Sequence, residues 1–311
     1  MDYLSDKVVA VTGSSGFIGK RLINALTGSV KQLILVVRNA DQETIHKQIL
    51  FDLIHNNIPQ DFFSGVDIVY HLAGCAHDTS RIKDKDYYYK LNVEATINLA
   101  RLALKNKVKK FIFVSSVKAA GKNSTDKYMS ESDRSSPEDW YGVTKYEAEK
   151  KLLRLAKNTK MDVVIIRPTL VYGPDVKGNL RSMLSAIQKG WFPPLSKKIK
   201  NSRSMVHVDD LVRALIFLVK DDRTSGEIFI VSDGIDYSTR DVYEIMCSIS
   251  NVKIPRWSIP SSFFKILARI NSNLKIKVEK LLDTEKYSSE KLKLLGFKPK
   301  KTLKDMNETS Y

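Results

Sequence analysis

Short apolar runs alternate along this chain with segments whose apolar positions recur at helical spacing. Residues 7–12, 32–37, 111–114 and 227–231 form compact apolar runs of strand length. Residues 20–26, 93–104 and 147–156 have helical spacing. Strands that alternate with helices in this way predict an α/β fold built on a doubly wound parallel sheet.

The same pattern predicts how the 311 residues are divided. We expect residues 1–170 to form the main sheet domain and residues 171–311 to form a smaller, mainly substrate-binding C-terminal lobe. The run at 227–231 resembles a core strand, so the segment 205–232 is predicted to return to the first domain.

A glycine-rich turn joins the first predicted strand to the first predicted helix. The spacing is G-x-x-G-x-x-G, and its residues are Gly13, Ser15, Gly16, Phe17, Ile18 and Gly19. Glycines at such a turn let the backbone approach a pyrophosphate, which the helix N-terminus then faces. A strand before the turn and a helix after it favour a dinucleotide site on a Rossmann fold over a turn without a ligand.

The second predicted strand ends at Arg38, where many NAD sites carry an acidic residue that binds the ribose. An arginine suits a 2′-phosphate, so NADP(H) is favoured and NAD(H) stays open. Asp52 and Leu53 follow the next apolar run and are candidates for the adenine side of the site.

Tyr141 and Lys145 stand four residues apart in a predicted helix, and therefore on one face of it. An ammonium beside a phenol favours the phenolate, so we expect Lys145 to lower the pKa of Tyr141. A tyrosine with such a pKa can exchange a proton with a sugar or alcohol oxygen.

Taken together, these features resemble the extended short-chain dehydrogenase/reductases, in particular the NAD-dependent nucleotide-sugar epimerase/dehydratase group. Further landmarks follow in order: His-Leu-Ala-Gly at 71–74, Leu-Asn-Val at 91–93, Phe-Val-Ser-Ser at 113–116, Arg-Pro at 167–168 and Arg-Ser-Met-Val-His at 203–207. The resemblance implies a catalytic trio of Ser116, Tyr141 and Lys145. It also implies cofactor contacts from Leu72, Ala73, Gly74, Asn92, Arg167 and Pro168, and substrate contacts from Lys118, Asn179 and Arg203.

The chain departs from the family's dehydratases, which carry an acidic pair where Val117 and Lys118 stand here. Many 4-epimerases have Tyr-Gly at the positions of Ala120 and Gly121. The resemblance therefore points to an NADP(H)-dependent reductase of a UDP-4-keto-6-deoxy-N-acetylhexosamine, similar to UDP-N-acetylquinovosamine-forming enzymes. A nucleotide-sugar 4-epimerase is the alternative. A non-catalytic NADP-sensing protein is disfavoured, because all three residues of the trio are present.

The chain is basic, with 51 Lys and Arg against 35 Asp and Glu. This charge suits a nucleoside diphosphate sugar, whereas no motif indicates nucleic-acid binding. The excess is largest over 253–304, which has 14 basic and 4 acidic residues. There we favour a helix packed on the substrate lobe and keep weak contact with an anionic membrane surface as the alternative.

The remaining expectations concern compartment and assembly. The two cysteines, Cys75 and Cys247, lie far apart without metal-ligand spacing, which indicates a reducing compartment and no metal site. Without a signal peptide or a long apolar run, we expect a cytoplasmic protein. A homodimer is compatible with the sequence.

Overall fold

The structure is a computed structural model of the 311-residue chain. It describes residues 3–54, 58–75, 85–121, 127–133, 136–137, 139–157, 159–270, 275, 278–279 and 281–306.

A seven-stranded parallel sheet forms the centre of the molecule. Its strands are β1 (Val8–Thr12), β2 (Gln32–Val37), β3 (Lys47–Leu50), β4 (Ile68–His71), β5 (Lys110–Val114), β6 (Asp162–Pro168) and β9 (Ile228–Val231). They lie in the order β3-β2-β1-β4-β5-β6-β9. Nearly every residue of β1, β4, β5 and β6 is buried, as expected of parallel strands covered on both faces.

Helices cover both faces of this sheet. On one face, α1 (Phe17–Leu26) and α6 (Val208–Val219) pack on the side chains of Val9, Val11 and Tyr70. On the other, α3 (Ala95–Lys105) and α4 (Trp140–Lys157) pack on Val69, Phe111 and Val163. A short helix α2 (Lys85–Tyr89) and a π-helical turn (Lys90–Glu94) lead into α3. The predicted doubly wound α/β fold is confirmed.

The smaller lobe has its own sheet and apolar core. Its strands β7 (Leu170–Tyr172), β8 (Arg203–His207) and β10 (Asp236–Tyr237) lie in the order β10-β8-β7. The lobe also contains α5 (Asn179–Gln188), α7 (Thr239–Ile249) and α8 (Ser261–Ile270). A last short helix, α9 (Glu290–Leu294), packs Leu292 into the core of the main domain instead. Tyr172, Leu184, Met205, Tyr243 and Phe264 are among the residues that fill the core of the lobe.

The chain crosses between the two parts more than once. After β8, α6 and β9 lie in the main domain, where Ile165 to Pro168 of β6 pair with Ile228 to Val231. The division of the chain at residue 170 stays a prediction. Within the described residues, no helix combines the length and the apolar character needed to cross a membrane.

Candidate active site

The glycine-rich turn brings β1, α1 and the end of β4 into close contact. Gly13 has a φ of +70°, and a Cβ there would lie 2.6 Å from the backbone nitrogen of Ala73. A Cβ on Gly19 would lie 2.2 Å from the carbonyl oxygen of Gly13. Among the described residues, no side chain caps the N-terminus of α1, so its first amides can bind an anion. These features suit the pyrophosphate of a dinucleotide.

The other predicted cofactor residues lie at the carboxyl ends of neighbouring strands, where ligands of such sheets bind. Arg38 directly follows β2 and is exposed. Asp52 follows β3, and one of its carboxylate oxygens accepts a hydrogen bond of 2.8 Å from the backbone of Ile54. Ser15 is exposed in the turn, Phe17 and Ile18 begin α1, and Leu53, Leu72, Ala73 and Gly74 follow β3 and β4.

Asn92 is fully buried, and its amide links the end of β4 to α4. Its Oδ1 accepts from the backbone nitrogen of Cys75 at 2.8 Å. Its Nδ2 donates to the carbonyl oxygen of Cys75 at 3.2 Å and to the hydroxyl of Thr144 at 3.0 Å. These contacts give Asn92 a positioning role, whereas its predicted contact with the cofactor stays a prediction.

Ser116, Tyr141 and Lys145 meet at the end of β5. Ser116 follows the strand, and its hydroxyl oxygen accepts from the backbone nitrogen of Lys118 at 3.2 Å. The Ser116 side chain also forms a hydrogen bond with Tyr141 near the start of α4. Lys145, one turn later, donates to the carbonyl oxygen of Val114 at 2.9 Å. The structure therefore brings the three predicted catalytic side chains together.

Burial governs the protonation of Tyr141 and Lys145. Burial raises the pKa of Tyr141 to about 12, although the hydrogen bond with Ser116 opposes the rise. Burial also lowers the pKa of Lys145 to about 8, while the charge of Glu149 favours its protonated form. The pKa of Tyr141 is thus raised rather than lowered as we expected, because burial removes solvent from the phenolate.

We expect Lys145→Met to stabilise the ligand-free protein at pH 7. The lowered pKa of Lys145 corresponds to a buried-charge cost of about 3 kcal/mol at most. The cost is full below pH 8 and falls between pH 8 and 10.5, as the folded wild type loses this proton before the unfolded chain does. The measurement is urea unfolding of both proteins at pH 7, 9 and 10.5.

The matched control is Lys157→Met, an exposed lysine in the last turn of the same helix. Its free energy of unfolding should differ from that of the wild type by a small amount that is the same at all three pH values. A Lys145→Met protein that is less stable than the wild type at every pH would contradict the assigned effect of burial.

A buried ion pair joins the catalytic helix to β6. The Arg167 Nε and Nη2 atoms donate to the two carboxylate oxygens of Glu149 at 3.0 and 2.6 Å. Both side chains are at most 4 % exposed. The guanidinium that we predicted as a cofactor contact is thus mostly engaged by Glu149, which gives Arg167 a structural role. Pro168 is the last residue of β6, and its predicted contact with the cofactor stays a prediction.

Two of the three predicted substrate residues, Lys118 and Arg203, lie around Glu285. The ammonium of Lys118 forms a short hydrogen bond and ion pair with the Glu285 carboxylate. The backbone of Glu285 pairs with Arg203 at the start of β8, and Arg203 Nη2 donates to the carbonyl oxygen of Asp283 at 3.3 Å. Burial lowers the pKa of Arg203, and the Glu285 charge acts in the opposite direction. Lys118 and Arg203 are thus brought near one carboxylate, whereas Asn179 is exposed at the start of α5.

Two residues of this region were absent from the sequence analysis. Glu149 stands four residues after Lys145, so the helical spacing that paired Tyr141 with Lys145 could also have indicated it. Glu285 belongs to no local motif, and 167 residues separate it from Lys118. No pattern within a single segment could have revealed that contact.

Comparison with known proteins identifies the family. The model of the NAD dependent epimerase/dehydratase family matches residues 9–232. UDP-glucose 4-epimerase of Vibrio cholerae is 34% identical over 311 residues, which cover 96% of this chain and 93% of that protein. The N-acetyl-alpha-D-glucosaminyl-diphospho-ditrans,octacis-undecaprenol 4-epimerase of Escherichia coli O157:H7 is 26% identical and covers 94% and 91%.

The fold matches known structures as well. The structure of MoeE5 in complex with UDP-glucose and NAD superimposes with a TM-score of 0.75 at 24% identity, over 96% of this chain and 95% of that one. Three observations indicate the same class of protein: the glycine-rich turn, the trio at the end of β5 and the family match. The chain is an enzyme and belongs to the NAD dependent epimerase/dehydratase family.

Proposed function

We propose that this chain is an NADP(H)-dependent oxidoreductase that acts at C4 of a nucleotide-linked sugar. The favoured reaction is reduction of a UDP-4-keto-6-deoxy-N-acetylhexosamine. The observation that carries the proposal is the hydrogen bond between Ser116 and Tyr141 beside the buried Lys145, at the sheet edge that also holds the glycine-rich turn. This arrangement suits proton transfer to an oxygen on the substrate.

Each residue of the trio has a separate task in this reaction. A nicotinamide cofactor, when bound, would supply a hydride for the C4 carbon. Tyr141, held protonated by its raised pKa, donates its proton to the C4 oxygen, so that the ketone becomes a hydroxyl. Ser116 hydrogen-bonds the same oxygen and fixes its position relative to Tyr141. Lys145 provides positive charge that stabilises the phenolate left after the transfer.

Two features favour a reductase over the other reactions of the family. Arg38 is exposed directly after β2, where a guanidinium can bind the 2′-phosphate of NADP(H). Val117 and Lys118 stand where the dehydratases that this chain resembles carry an acidic pair. Lys118, Asn179 and Arg203 remain the proposed contacts to the sugar and the phosphates, because a guanidinium can grip phosphate oxygens with two hydrogen bonds.

The test offers the chain a UDP-4-keto-6-deoxy-N-acetylhexosamine together with NADPH. The reductase oxidises one NADPH for each sugar. Mass spectrometry then finds a product about two mass units heavier than the substrate, which corresponds to the addition of one H₂. The same assay with a panel of dTDP sugars establishes which nucleotide base of the substrate the enzyme prefers. Absence of both NADPH oxidation and reduced product would exclude the proposed reaction.

A nucleotide-sugar 4-epimerase acting on UDP-hexoses or UDP-N-acetylhexosamines is the second candidate. It is supported by the 34% identity to the Vibrio cholerae UDP-glucose 4-epimerase. An epimerase inverts C4 without net oxidation, so it needs no added reductant and leaves the mass of the sugar unchanged. Conversion of UDP-glucose to UDP-galactose without added NADPH would favour this candidate.

We expect Arg38→Ala to weaken NADPH binding by about 1.5–3 kcal/mol and to leave NADH binding nearly unchanged. The reason is loss of a charge-assisted hydrogen bond to the 2′-phosphate. Fluorescence titration gives both dissociation constants for each protein. Lys47→Ala, an exposed cation on β3, is the control for general charge. Equal NADPH and NADH affinity in the wild type would refute the preference and strengthen the epimerase candidate.

A further inference from the structure

Four large apolar side chains are exposed on one part of the substrate lobe. Their exposed fractions are 79 % for Trp191, 64 % for Trp257, 47 % for Phe263 and 57 % for Ile266. We call these residues, with the lysines and arginines around them, the aromatic-basic surface. Exposed single apolar residues are common, whereas several large ones on neighbouring segments usually mark an interaction site.

Backbone contacts bring the segments of this surface together. Leu195 and Ile259 form a bridge, and the backbone nitrogen of Ile259 donates to the carbonyl oxygen of Pro194 at 2.9 Å. Trp191 and Trp257 therefore lie on adjoining segments. Helix α8 begins directly after the Trp257 segment. There, the backbone nitrogen of Phe263 donates to the carbonyl oxygen of Pro260 at 3.1 Å.

Helix α8 presents apolar side chains both to the protein and to the outside. Phe264 is buried and belongs to the core of the lobe. Phe263 and Ile266 are three residues apart, share a face of the helix and are exposed. From the sequence we favoured a helix that packs on the substrate lobe with a solvated lysine face, and kept contact with an anionic membrane surface as the alternative. The buried Phe264 agrees with packing on the lobe, whereas Phe263 and Ile266 show that the outer face of the helix also carries apolar side chains.

The charged residues of the two segments that carry these apolar side chains are all basic. Residues 189–200 and 253–269 contain eight basic residues and no acidic one. All eight are exposed, and no ion pair to them is found among the described residues. They are Lys189, Lys197, Lys198, Lys200, Lys253, Arg256, Lys265 and Arg269. The Lys189 ammonium lies 5.6 Å from the centre of the Trp191 ring, so cations and aromatic rings intermix.

We propose that the aromatic-basic surface binds the surface of an anionic lipid bilayer. Tryptophan and phenylalanine side chains enter the headgroup region, and lysines and arginines beside them are attracted to anionic headgroups. An acidic protein would match the charges, but the protruding indole and phenyl rings suit the soft boundary of a bilayer. The contact is peripheral, and it is independent of which sugar the enzyme reduces or epimerises.

The first test measures binding of the intact protein to vesicles by flotation. Wild-type protein should bind vesicles of 30% phosphatidylglycerol in phosphatidylcholine roughly tenfold more strongly than pure phosphatidylcholine vesicles, and added salt should weaken the binding. Phe263→Ser/Ile266→Ser and Lys265→Glu/Arg269→Glu should each lower binding by roughly tenfold. Unchanged circular dichroism and melting temperature establish that these surface variants are folded.

Controls elsewhere on the molecule make this test specific. Leu294→Ser removes a side chain that is 78 % exposed in α9, and Lys31→Glu/Lys47→Glu reverses two exposed charges near the start of β2 and on β3. Both variants should bind like the wild type. Failure of the wild type to bind, or equal losses in the control variants, would overturn the proposal. So would a dimer in lipid-free solution that Phe263→Ser/Ile266→Ser dissociates.

The second test locates the contact by tryptophan fluorescence. The three tryptophans allow three proteins that each retain one indole, with phenylalanine at the other two positions. Brominated phosphatidylglycerol vesicles should quench Trp191 and Trp257 strongly. Trp140, which is 55 % exposed at the start of α4, is the matched control and should be quenched little. Equal quenching of all three tryptophans would contradict the assigned surface.

Discussion

Replacing Tyr141 with phenylalanine is expected to lower kcat by about 10²–10⁴-fold, because the change removes the phenol that moves the substrate proton. The ring stays in place, so the packing of α4 on the sheet should persist. Melting temperature and cofactor dissociation constant should therefore remain close to those of the wild type. Single-turnover measurement of C4 reduction separates the chemical step from binding and product release.

Tyr146→Phe is the matched control for this result. Tyr146 lies in the same helix five residues later, where the Lys150 ammonium is 5.5 Å from its ring. Loss of its hydroxyl should change kcat by less than a factor of about two, since this tyrosine is outside the trio. A Tyr141→Phe protein that keeps a third or more of the wild-type turnover would remove Tyr141 from its assigned role.

The parts of the site that the sequence predicted are encoded within single short segments. Gly13 and Gly19 must be glycines because a Cβ at either position would collide with backbone atoms of the turn or of the residues that follow β4. Tyr141 and Lys145 are four residues apart, so they share one face of their helix wherever that helix lies in the fold. Strand ends are also local features, and the parallel topology then gathers them at one edge of the sheet, as it does for Arg38 and Ser116.

The parts that the sequence did not predict depend on contacts between distant segments. The pairing of Lys118 with Glu285 arises only after the C-terminal segment has aligned with β8. The direction of the Tyr141 pKa shift depends on how completely α4 buries the phenol, which helical spacing does not reveal. The exposure of Phe263 and Ile266 is of the same kind, because apolar residues on two faces of a helix leave open which face packs inward.

The buried pair of Glu149 and Arg167 extends this reasoning to stability. Glu149 faces β6 from the same helix that presents Tyr141 and Lys145, and Arg167 holds it with two hydrogen bonds. Arg167 Nη1 is also buried and has no hydrogen-bond partner among the described residues, so the guanidinium depends on this one carboxylate. Removal of the carboxylate would leave a cation without solvent or a counter-charge inside the protein.

Glu149→Leu is therefore expected to lower the free energy of unfolding by about 3–5 kcal/mol, as measured by urea unfolding at pH 7. Glu149→Leu/Arg167→Met should recover most of this loss, because the double change removes the guanidinium together with its counter-charge. Glu147→Leu is the control on the same helix, since its pair with Lys150 at 3.2 Å is substantially exposed and should contribute only about 0–1 kcal/mol. If Glu149→Leu costs no more than Glu147→Leu, the ion pair does not secure the catalytic helix. If the double variant is as unstable as Glu149→Leu, lost packing rather than an uncompensated charge explains the effect.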